Sequence, residues 1–176
     1  MDAVILDLRV FERFPARATL TADPQEFSVE CDGVLGVDEV TLEVTIQQAG
    51  EEYYCQGLVT GTLRLECARC LTEYAAEIRQ ETDFICRDRA AAVAEAGIVD
   101  DEDYAYFDGL ERIVKVDDLV RQALVLAVDI KPLCREDCLG LCPKCGCNLN
   151  VEECDCRVDG VDHRWDALKK LKDNIT

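Results

Sequence analysis

The chain has 176 residues, which is enough for one domain of ordinary size or for one domain with a small appendage. Acidic residues outnumber basic residues by 37 to 19, so the formal net charge is -18. A surface of this sign repels phosphate backbones and attracts basic proteins, so binding of nucleic acid would need a local basic patch.

The N-terminal sequence MDAVILDLRVFERF predicts neither a secretory signal nor a membrane span. It carries charges at Asp2, Asp7 and Arg9 and has no basic stretch followed by an apolar one. No segment approaches the roughly 18 uninterrupted apolar residues of a membrane-spanning helix. We therefore expect a cytoplasmic protein, or a protein of the plastid stroma if the source is a plant or alga. Clustered cysteines in such compartments bind metal more often than they form disulfides.

Three segments in the first half of the chain predict an antiparallel β-meander or partial barrel. The first segment alternates apolar and polar residues, and its apolar face consists of Val40, Leu42, Val44 and Ile46. Gly50 supplies a turn, and the same alternation returns at residues 63–67 and 74–78. Gly57 and Gly61 predict a bulge or strong bend in the middle strand.

A helix over residues 117–130 is predicted to lead directly into a cysteine-rich segment. A short strand at residues 113–116 precedes it, Asp117 is a good N-cap, and Pro132 ends it. Its apolar stripe consists of Leu119, Ala123 and Leu126 or Ala127, widened by Val120 and Leu124. The alanine-rich segment over residues 87–103 predicts a short surface helix or a mobile loop without chemistry.

These elements predict an α+β protein with two parts. Residues 1–130 form a β-rich domain on which the helix packs. Residues 131–176 form a zinc-ribbon-like module that ends in a short terminal helix with the sequence RWDALKKLKD.

Eight of the twelve cysteines fall into four closely spaced pairs. The pairs are Cys67 with Cys70, Cys134 with Cys138, Cys142 with Cys145, and Cys154 with Cys156. Zinc prefers four soft ligands in a tetrahedron, and two cysteines separated by two residues supply two adjacent corners. The glycine after Cys145 lets the backbone turn tightly around a metal. The sequence therefore predicts one or two Zn²⁺ ions per chain.

The spacing alone leaves the pairing of cysteines open. Our lead assignment has two sites, one formed by Cys67, Cys70, Cys134 and Cys138, the other by Cys142, Cys145, Cys154 and Cys156. The alternative is one site formed by Cys134, Cys138, Cys142 and Cys145. An iron-sulfur cluster also uses four thiolates and is a further alternative. Thiol redox catalysis is disfavoured because Cys67 closes a strand, whereas a reactive dithiol starts a helix.

The remaining cysteines and the single histidine are predicted to be secondary. Cys147 is a spare thiol or a competing ligand. Small, apolar, buried positions are predicted for Cys31, Cys55 and Cys86. His163 lies beyond an already sufficient set of thiols.

The order of these motifs resembles the YceD-like family, from about Cys67 onward. The matching stretches are LECARCL, VDDLVRQALVLAVDIKPLC, CLGLCPKCGCNLNVEECDC and the terminal RWDALKKL. That family consists of bacterial and plastid proteins needed for accumulation of large-subunit (23S) ribosomal RNA. Cys67, Arg69 and Cys70 match its C-x-R-C motif. The other six paired cysteines, which all follow residue 130, match the tail found in the cysteine-rich branch of the family. The family commonly shares an operon with ribosomal protein L32.

The resemblance implies a non-catalytic ribosome-biogenesis factor without a small-molecule substrate. The acidic net charge, rather than the resemblance, indicates a basic ribosomal protein as the partner, with L32 as a candidate, and large-subunit rRNA is the other candidate partner. The alternative is a zinc protein that binds RNA directly, in which phosphate contacts come from Arg69, Arg164, Lys169, Lys170 and Lys172. The sequence shows no paired catalytic carboxylates and no phosphate-binding glycine loop. A fully ligated metal also lacks the open position of a catalytic zinc.

Overall fold

The structure is a computed structural model and describes residues 4–24, 27–96 and 104–156. The predicted terminal helix lies outside the described residues, and so do His163, Arg164, Lys169, Lys170 and Lys172. The strands are β1 (Ile5–Asp7), β2 (Ala16–Ala22), β3 (Val34–Ala49), β4 (Glu52–Glu66), β5 (Glu73–Asp88), β6 (Tyr104–Phe107) and β7 (Ile113–Lys115). The helices are α1 (Arg89–Ala96) and α2 (Asp117–Ala127), and a short 3-10 helix covers Leu8–Val10.

The architecture is α+β, and its largest unit is a five-stranded sheet with the order β2-β3-β4-β5-β6. Strands β2 to β5 are antiparallel neighbours, and β6 runs parallel to β5. This arrangement confirms the predicted meander. Gly50 makes the turn between β3 and β4 with a φ of 66°, a conformation that glycine adopts without the steric cost of a Cβ.

The alternating pattern of the sequence matches the burial of the strands. The predicted apolar face of β3 is almost fully buried, whereas Glu43 on its other face is exposed. Leu63 and Leu65 of β4 are buried in the same core. Side chains of successive strand residues point to opposite faces of the sheet, so an apolar residue at every second position packs one face of the sheet against the core.

The bulge predicted as one alternative for the middle strand is wrong in its location. The register of β4 continues unbroken past Gly57 and Gly61, and the two shifts lie in β3, between Val34 and Gly36 and between Val37 and Glu39. The two glycines serve close backbone approach instead. A Cβ on Gly61 would lie 2.5 Å from the carbonyl oxygen of Glu39.

Helix α2 covers the core, but it is shorter than the predicted 117–130. It ends at Ala127, because Val128 is extended with a ψ of 125° and begins the path toward the cysteines. Val120, Ala123 and Leu124 are buried as the stripe predicts. Leu126 is 76% exposed, so Ala127 rather than Leu126 completes the stripe.

The predicted N-cap of α2 is also wrong, by one residue. Val116 occupies the cap position and makes no side-chain capping bond. The Asp117 carboxylate instead accepts a hydrogen bond from the Val4 amide at 2.8 Å. That bond secures the start of β1, which pairs with β7 in a separate two-stranded sheet. No single-strand pattern predicted this pairing, which joins segments more than 100 residues apart in the chain.

Two smaller features complete the described part of the chain. The surface helix predicted within residues 87–103 is present as α1. No helix among the described residues has the length and the apolar character needed to cross a membrane.

Candidate metal centres

The first cluster of thiols joins the end of β4 to the segment that follows α2. Its members are Cys67, Cys70, Cys134 and Cys138, and their four sulfur atoms lie within 4.8 Å of one another. The sulfur-sulfur distance is 3.8 Å between Cys67 and Cys138 and 3.7 Å between Cys70 and Cys134. Residues 71 positions apart in the chain are therefore neighbours at one point.

These distances fit a four-coordinate metal. A tetrahedral zinc with Zn–S bonds of about 2.3 Å has sulfur-sulfur edges of about 3.8 Å. A disulfide would need a separation of about 2.05 Å. The chemistry of the donors also fits, because four thiolates suit zinc or an iron-sulfur centre better than a hard cation. When bound, such an ion would hold the two chain segments together, and four sulfur ligands leave it no open coordination position.

A second cluster lies further along the chain, in the turn-rich segment after residue 140. Cys142, Cys145, Cys154 and Cys156 hold their sulfur atoms within 4.8 Å of one another. The sulfur of Cys154 lies 3.5 Å from that of Cys145 and 3.4 Å from that of Cys142. The structure thus groups the eight thiols as two sets of four, so each set matches one site of the two-site assignment.

The two clusters differ in their exposure to solvent. Cys67 and Cys138 are buried in a small cluster separate from the main core, with Tyr74, Leu133 and Leu141 packed against it. Cys145 and Cys156 of the second cluster are exposed. The first cluster therefore has the closed surroundings of a structural metal site, whereas the second lies at the surface.

The first C-x-x-C pair forms a tight knuckle. The Leu71 amide donates to the carbonyl oxygen of Cys67 at 2.9 Å, and the Cys67 amide donates to the carbonyl oxygen of Thr72 at 3.0 Å. Leu71 has a φ of 56°, in the left-handed region. This turn points neighbouring backbone N–H groups toward the sulfur atoms.

The second C-x-x-C pair repeats the same pattern of hydrogen bonds. The Gly146 amide donates to the Cys142 carbonyl at 2.9 Å, and the Cys142 amide donates to the Cys147 carbonyl at 2.8 Å. Gly146 has a φ of 76°. The two knuckles therefore share one backbone design, although the sequence gives glycine at only one of them.

The knuckles favour ionised thiols. Burial raises the pKa of Cys67, but amide donors from Cys134, Arg69 and Cys70 outweigh it and bring that pKa down to about 6. The amides of Cys145 and Lys144 likewise lower the pKa of Cys142 to about 6. Thiolates rather than thiols bind metal, so each knuckle prepares one ligand.

One other cysteine in each cluster has a raised pKa instead. Burial and the neighbouring thiols, first Cys70 and then Cys67, raise the pKa of Cys134 to about 12. The Cys154 and Cys145 sulfurs raise the pKa of Cys156 to about 12. A divalent cation would remove this repulsion among sulfur atoms and release protons as it binds.

Arg69, which the sequence suggests as a contact for phosphate or a partner, makes contacts within the cysteine-rich region. Its guanidinium donates to the carbonyl oxygen of Cys138 at 3.0 Å, and its own carbonyl accepts from the Leu141 amide at 3.2 Å. Gly140 passes so close that a Cβ there would lie 3.1 Å from the Arg69 carbonyl oxygen. Arg69 thus connects the first knuckle to the segment between the two clusters.

Sequence reasoning missed the asparagines of the NLN stretch. Asn150 donates to the Cys138 sulfur at 3.4 Å, and Asn148 donates to the Thr72 hydroxyl at 3.2 Å. A signal existed, because two amides flanking one leucine in a short loop between cysteine pairs are well suited to turn and ligand hydrogen bonds.

The other cysteines have different surroundings. Cys55 and Cys86 are buried in the main core with their sulfur atoms 3.6 Å apart. Cys31 is partly exposed, so its predicted burial is wrong, because it lies in the irregular segment before β3. Cys147 is partly exposed and does not belong to either set of four sulfurs.

Comparison with known proteins identifies the family. A family model described as large ribosomal RNA subunit accumulation protein YceD matches residues 55–172, which include both clusters. The chain belongs to this family. The match covers β4 from residue 55 onward, β5, the helix α2 and all eight grouped cysteines.

The individual relatives that match this YceD family chain have low sequence identity to it. An uncharacterized protein of Mycobacterium leprae is 26% identical over 132 residues, which is 75% of this chain and 58% of the relative. An uncharacterized protein of Mycobacterium tuberculosis is 26% identical over 136 residues, or 74% of this chain and 60% of the relative. A chloroplastic YCED homolog 1 of Arabidopsis thaliana, named as a large ribosomal RNA subunit accumulation protein, is 30% identical over 77 residues.

The extent of these matches is partial. The chain spans about three fifths of the two mycobacterial relatives, and its match to the Arabidopsis thaliana protein covers 44% of this chain and 24% of that protein. No solved structure matches the chain.

Proposed function

We propose that this protein is a non-catalytic, zinc-stabilised factor that supports accumulation of large-subunit (23S) ribosomal RNA, in the cytoplasm or in the plastid stroma. Membership of the YceD family supports the role in ribosome biogenesis. The observation that carries the zinc-stabilised form of the proposal is the first cluster, in which Cys67 and Cys138 bring their sulfur atoms to 3.8 Å.

In this proposal both metals are structural. Each set of four thiols would occupy all four coordination positions of a tetrahedral zinc, so the ion polarises no substrate and activates no water. Zinc at the first cluster joins residues 1–130 to the module that starts at residue 131. Zinc at the second cluster closes the turn-rich segment into one rigid unit.

We propose a basic ribosomal protein as the partner, with L32 as one candidate. The net charge of -18 supports a basic partner over naked RNA. The engagement of the Arg69 guanidinium by the Cys138 carbonyl supports the same choice, because that donor is not free to bind phosphate in this orientation. Direct binding of large-subunit rRNA is the competing outcome.

A complementation experiment tests the function. Cells that lack the protein receive the wild-type gene, a Cys67→Ser/Cys70→Ser variant or a Cys31→Ser control, and the ratio of large-subunit to small-subunit rRNA is measured. The wild type and the control restore the ratio and the double variant does not. Wild-type rRNA levels in cells without any copy of the gene would overturn the proposed role.

A second experiment tests the partner. The purified protein is used to capture ribosomal proteins and rRNA fragments at increasing salt concentrations. Basic ribosomal proteins bind at low salt and dissociate at moderate salt, because attraction between exposed charges is screened. Preferential capture of protein-free rRNA would replace this partner with RNA.

A further inference from the structure

The loop between the two halves of the second cluster reaches the sulfur atoms of the first. The Asn150 side-chain amide donates to the Cys138 sulfur at 3.4 Å and to the Asn148 side-chain oxygen at 2.7 Å. Asn150 lies between Cys145 and Cys154, which both belong to the second cluster. One residue of the loop within the second cluster therefore donates a hydrogen bond to a sulfur atom of the first cluster.

The orientation of the Asn150 amide is determined by the donors around it. Its oxygen accepts from the Leu139 amide at 2.8 Å and from the Arg135 guanidinium at 2.8 Å. Two N–H donors facing one end of the side chain require that end to be the oxygen. The NH₂ group must then be the end that faces Cys138.

A second bridge runs parallel to the first. Asn148 donates to the Thr72 hydroxyl at 3.2 Å, and the same hydroxyl oxygen lies 3.4 Å from the Cys70 sulfur. When Cys70 is a thiolate, the hydroxyl proton of Thr72 points at the sulfur and its oxygen accepts from Asn148. The loop thus supports ligand sulfurs on both chain segments of the first cluster.

The position of both asparagines depends on the second cluster. The loop leaves the second knuckle after Cys145 and returns to the cluster at Cys154, so its two ends are fixed when these residues share one ion. Without the ion, the loop is held by backbone turns, by the pairing of Leu141 with Asn148 and by the hydrogen bond from the Leu149 amide to the Gly140 carbonyl, and it samples more conformations. The hydrogen bonds to the first cluster would then have to be formed at an additional entropic cost.

We infer that the two metal sites are thermodynamically coupled: Zn²⁺ at the second cluster fixes the Asn148–Asn150 segment and thereby raises the affinity of the first cluster for Zn²⁺. This inference rests on the two-site part of the proposed function. Outer hydrogen bonds to metal ligands are typically worth about 10- to 100-fold in metal affinity. The coupling is reciprocal, so zinc at the first cluster strengthens the second by the same factor.

The first test removes the second site. A Cys142→Ser/Cys145→Ser variant and a Cys31→Ser control are titrated with Zn²⁺ against a chelator of known affinity. After chelator addition, alkylation of each cysteine is followed by mass spectrometry, which resolves the two sites. Zinc affinity at the first cluster falls at least about 10-fold in the double variant and is unchanged in the control.

The second test breaks the bridge and keeps all eight thiols. Asn150→Asp has the same shape and retains the oxygen that faces Leu139, but it replaces the N–H donor with an oxygen that repels the Cys138 sulfur. We expect about a 10-fold loss of zinc affinity at the first cluster. The control is Gln47→Glu, the same change of charge at the exposed far end of β3, which leaves both affinities unchanged.

Combining the two tests separates coupling from general damage. In the Cys142→Ser/Cys145→Ser background the loop is already released, so Asn150→Asp causes little further loss of zinc affinity at the first cluster. A double-mutant cycle measures this non-additivity. Two zinc ions bound to the wild-type protein, together with a first-site affinity that is the same in every variant, would overturn the coupling and leave the proposed function intact. Fewer than two zinc ions in the wild-type protein would overturn the two-site architecture itself.

Discussion

Leu71 and Gly146 occupy equivalent positions, one residue beyond the second cysteine of each C-x-x-C pair, and both have left-handed backbone conformations. Their φ values are 56° and 76°, and each donates its amide to the carbonyl of the first cysteine of its pair. A residue with a Cβ carries a cost of about 1–2 kcal/mol in this conformation, and glycine does not. The first knuckle therefore pays a steric penalty that the second avoids.

The cost at Leu71 predicts an unusual response to truncation. The Leu71 side chain is 57% exposed, so Leu71→Gly loses little burial and removes the strain. Glycine also increases the conformational entropy of the unfolded chain, which offsets part of this gain. We therefore expect the free energy of unfolding of Leu71→Gly to be unchanged or higher by up to about 1 kcal/mol. Urea unfolding of the zinc-loaded protein measures this difference.

The control for Leu71→Gly is Leu110→Gly. Leu110 is 93% exposed and does not have a positive φ, so its replacement brings no relief of strain and costs about 0.5–1 kcal/mol. A larger loss of stability at Leu71 than at Leu110 would contradict the strain argument.

Gly61 predicts the opposite response to an added methyl group. A Cβ at Gly61 would lie 2.5 Å from the backbone oxygen of Glu39, which is held in the β3–β4 ladder and cannot rotate away. Gly61→Ala should destabilise the protein by about 1–3 kcal/mol through overpacking. Thermal unfolding and the chemical shifts of the β3 amides would report the displacement.

Gly36 provides the matched control for Gly61. A Cβ there would meet the guanidinium of Arg64, the far end of a flexible side chain that can move aside. Gly36→Ala should therefore cost well under 1 kcal/mol. Equal losses at the two positions would show that close backbone approach does not explain the glycine at Gly61.

The surroundings of these glycines also show which features of the fold could be predicted from the sequence. Apolar alternation predicted β3, β4 and β5 because burial of one sheet face imposes a period of two on side chains. The same reasoning could not distinguish a bulge from close backbone approach at Gly57 and Gly61, because both require a small residue. Pairings between distant short strands, such as β1 with β7, leave no local pattern.

The candidate site was predictable for a different reason. Closely spaced cysteine pairs indicate candidate metal ligands by their chemistry, so all eight grouped thiols stand out in the sequence. Which pairs come together depends on how α2 directs the chain back to β4. The two asparagines left only the signal of two amides in a short loop between cysteine pairs, and Thr72 left none, because its role depends on three-dimensional proximity to the Cys70 sulfur.

Asp117 connects the start of α2 to the start of the chain, and its replacement should loosen that connection. Its carboxylate accepts from the Val4 amide at 2.8 Å, and Val4 is buried. Asp117→Ala leaves that amide without its partner, for a cost of about 1–3 kcal/mol. Hydrogen exchange should show faster exchange in β1 and β7 before the five-stranded sheet is affected.

Asp118 serves as the comparison, because it also places a negative charge in the first turn of α2. Its side chain is 92% exposed and pairs with Arg121. Asp118→Ala removes the same favourable interaction with the helix dipole, worth about 0.3–1 kcal/mol, without touching Val4. Similar exchange in β1 for both variants would assign the effect to the dipole rather than to the Val4 bond.

Removal of metal should separate the cysteine-rich segment from the sheet without unfolding the sheet. The main core does not include the cysteine clusters, so its burial does not depend on the ion. Backbone hydrogen bonds cross the junction: the Ala68 amide donates to the Pro132 carbonyl at 2.8 Å, and the Leu141 amide donates to the Arg69 carbonyl at 3.2 Å. We expect both to depend on the first cluster for their alignment.

Hydrogen exchange with and without a zinc chelator, under reducing conditions, distinguishes these regions. We expect the amides of Ala68 and Leu141 to lose protection by at least about 10-fold, because metal binding supplies much of the free energy that orders small thiolate sites. The paired amides of β3 and β4 should keep their protection, because β3–β4 hydrogen bonds and the apolar core hold them. Simultaneous loss of protection in both regions would mean that the metal stabilises the whole fold, and unchanged exchange at Ala68 and Leu141 would mean that it does not hold the junction.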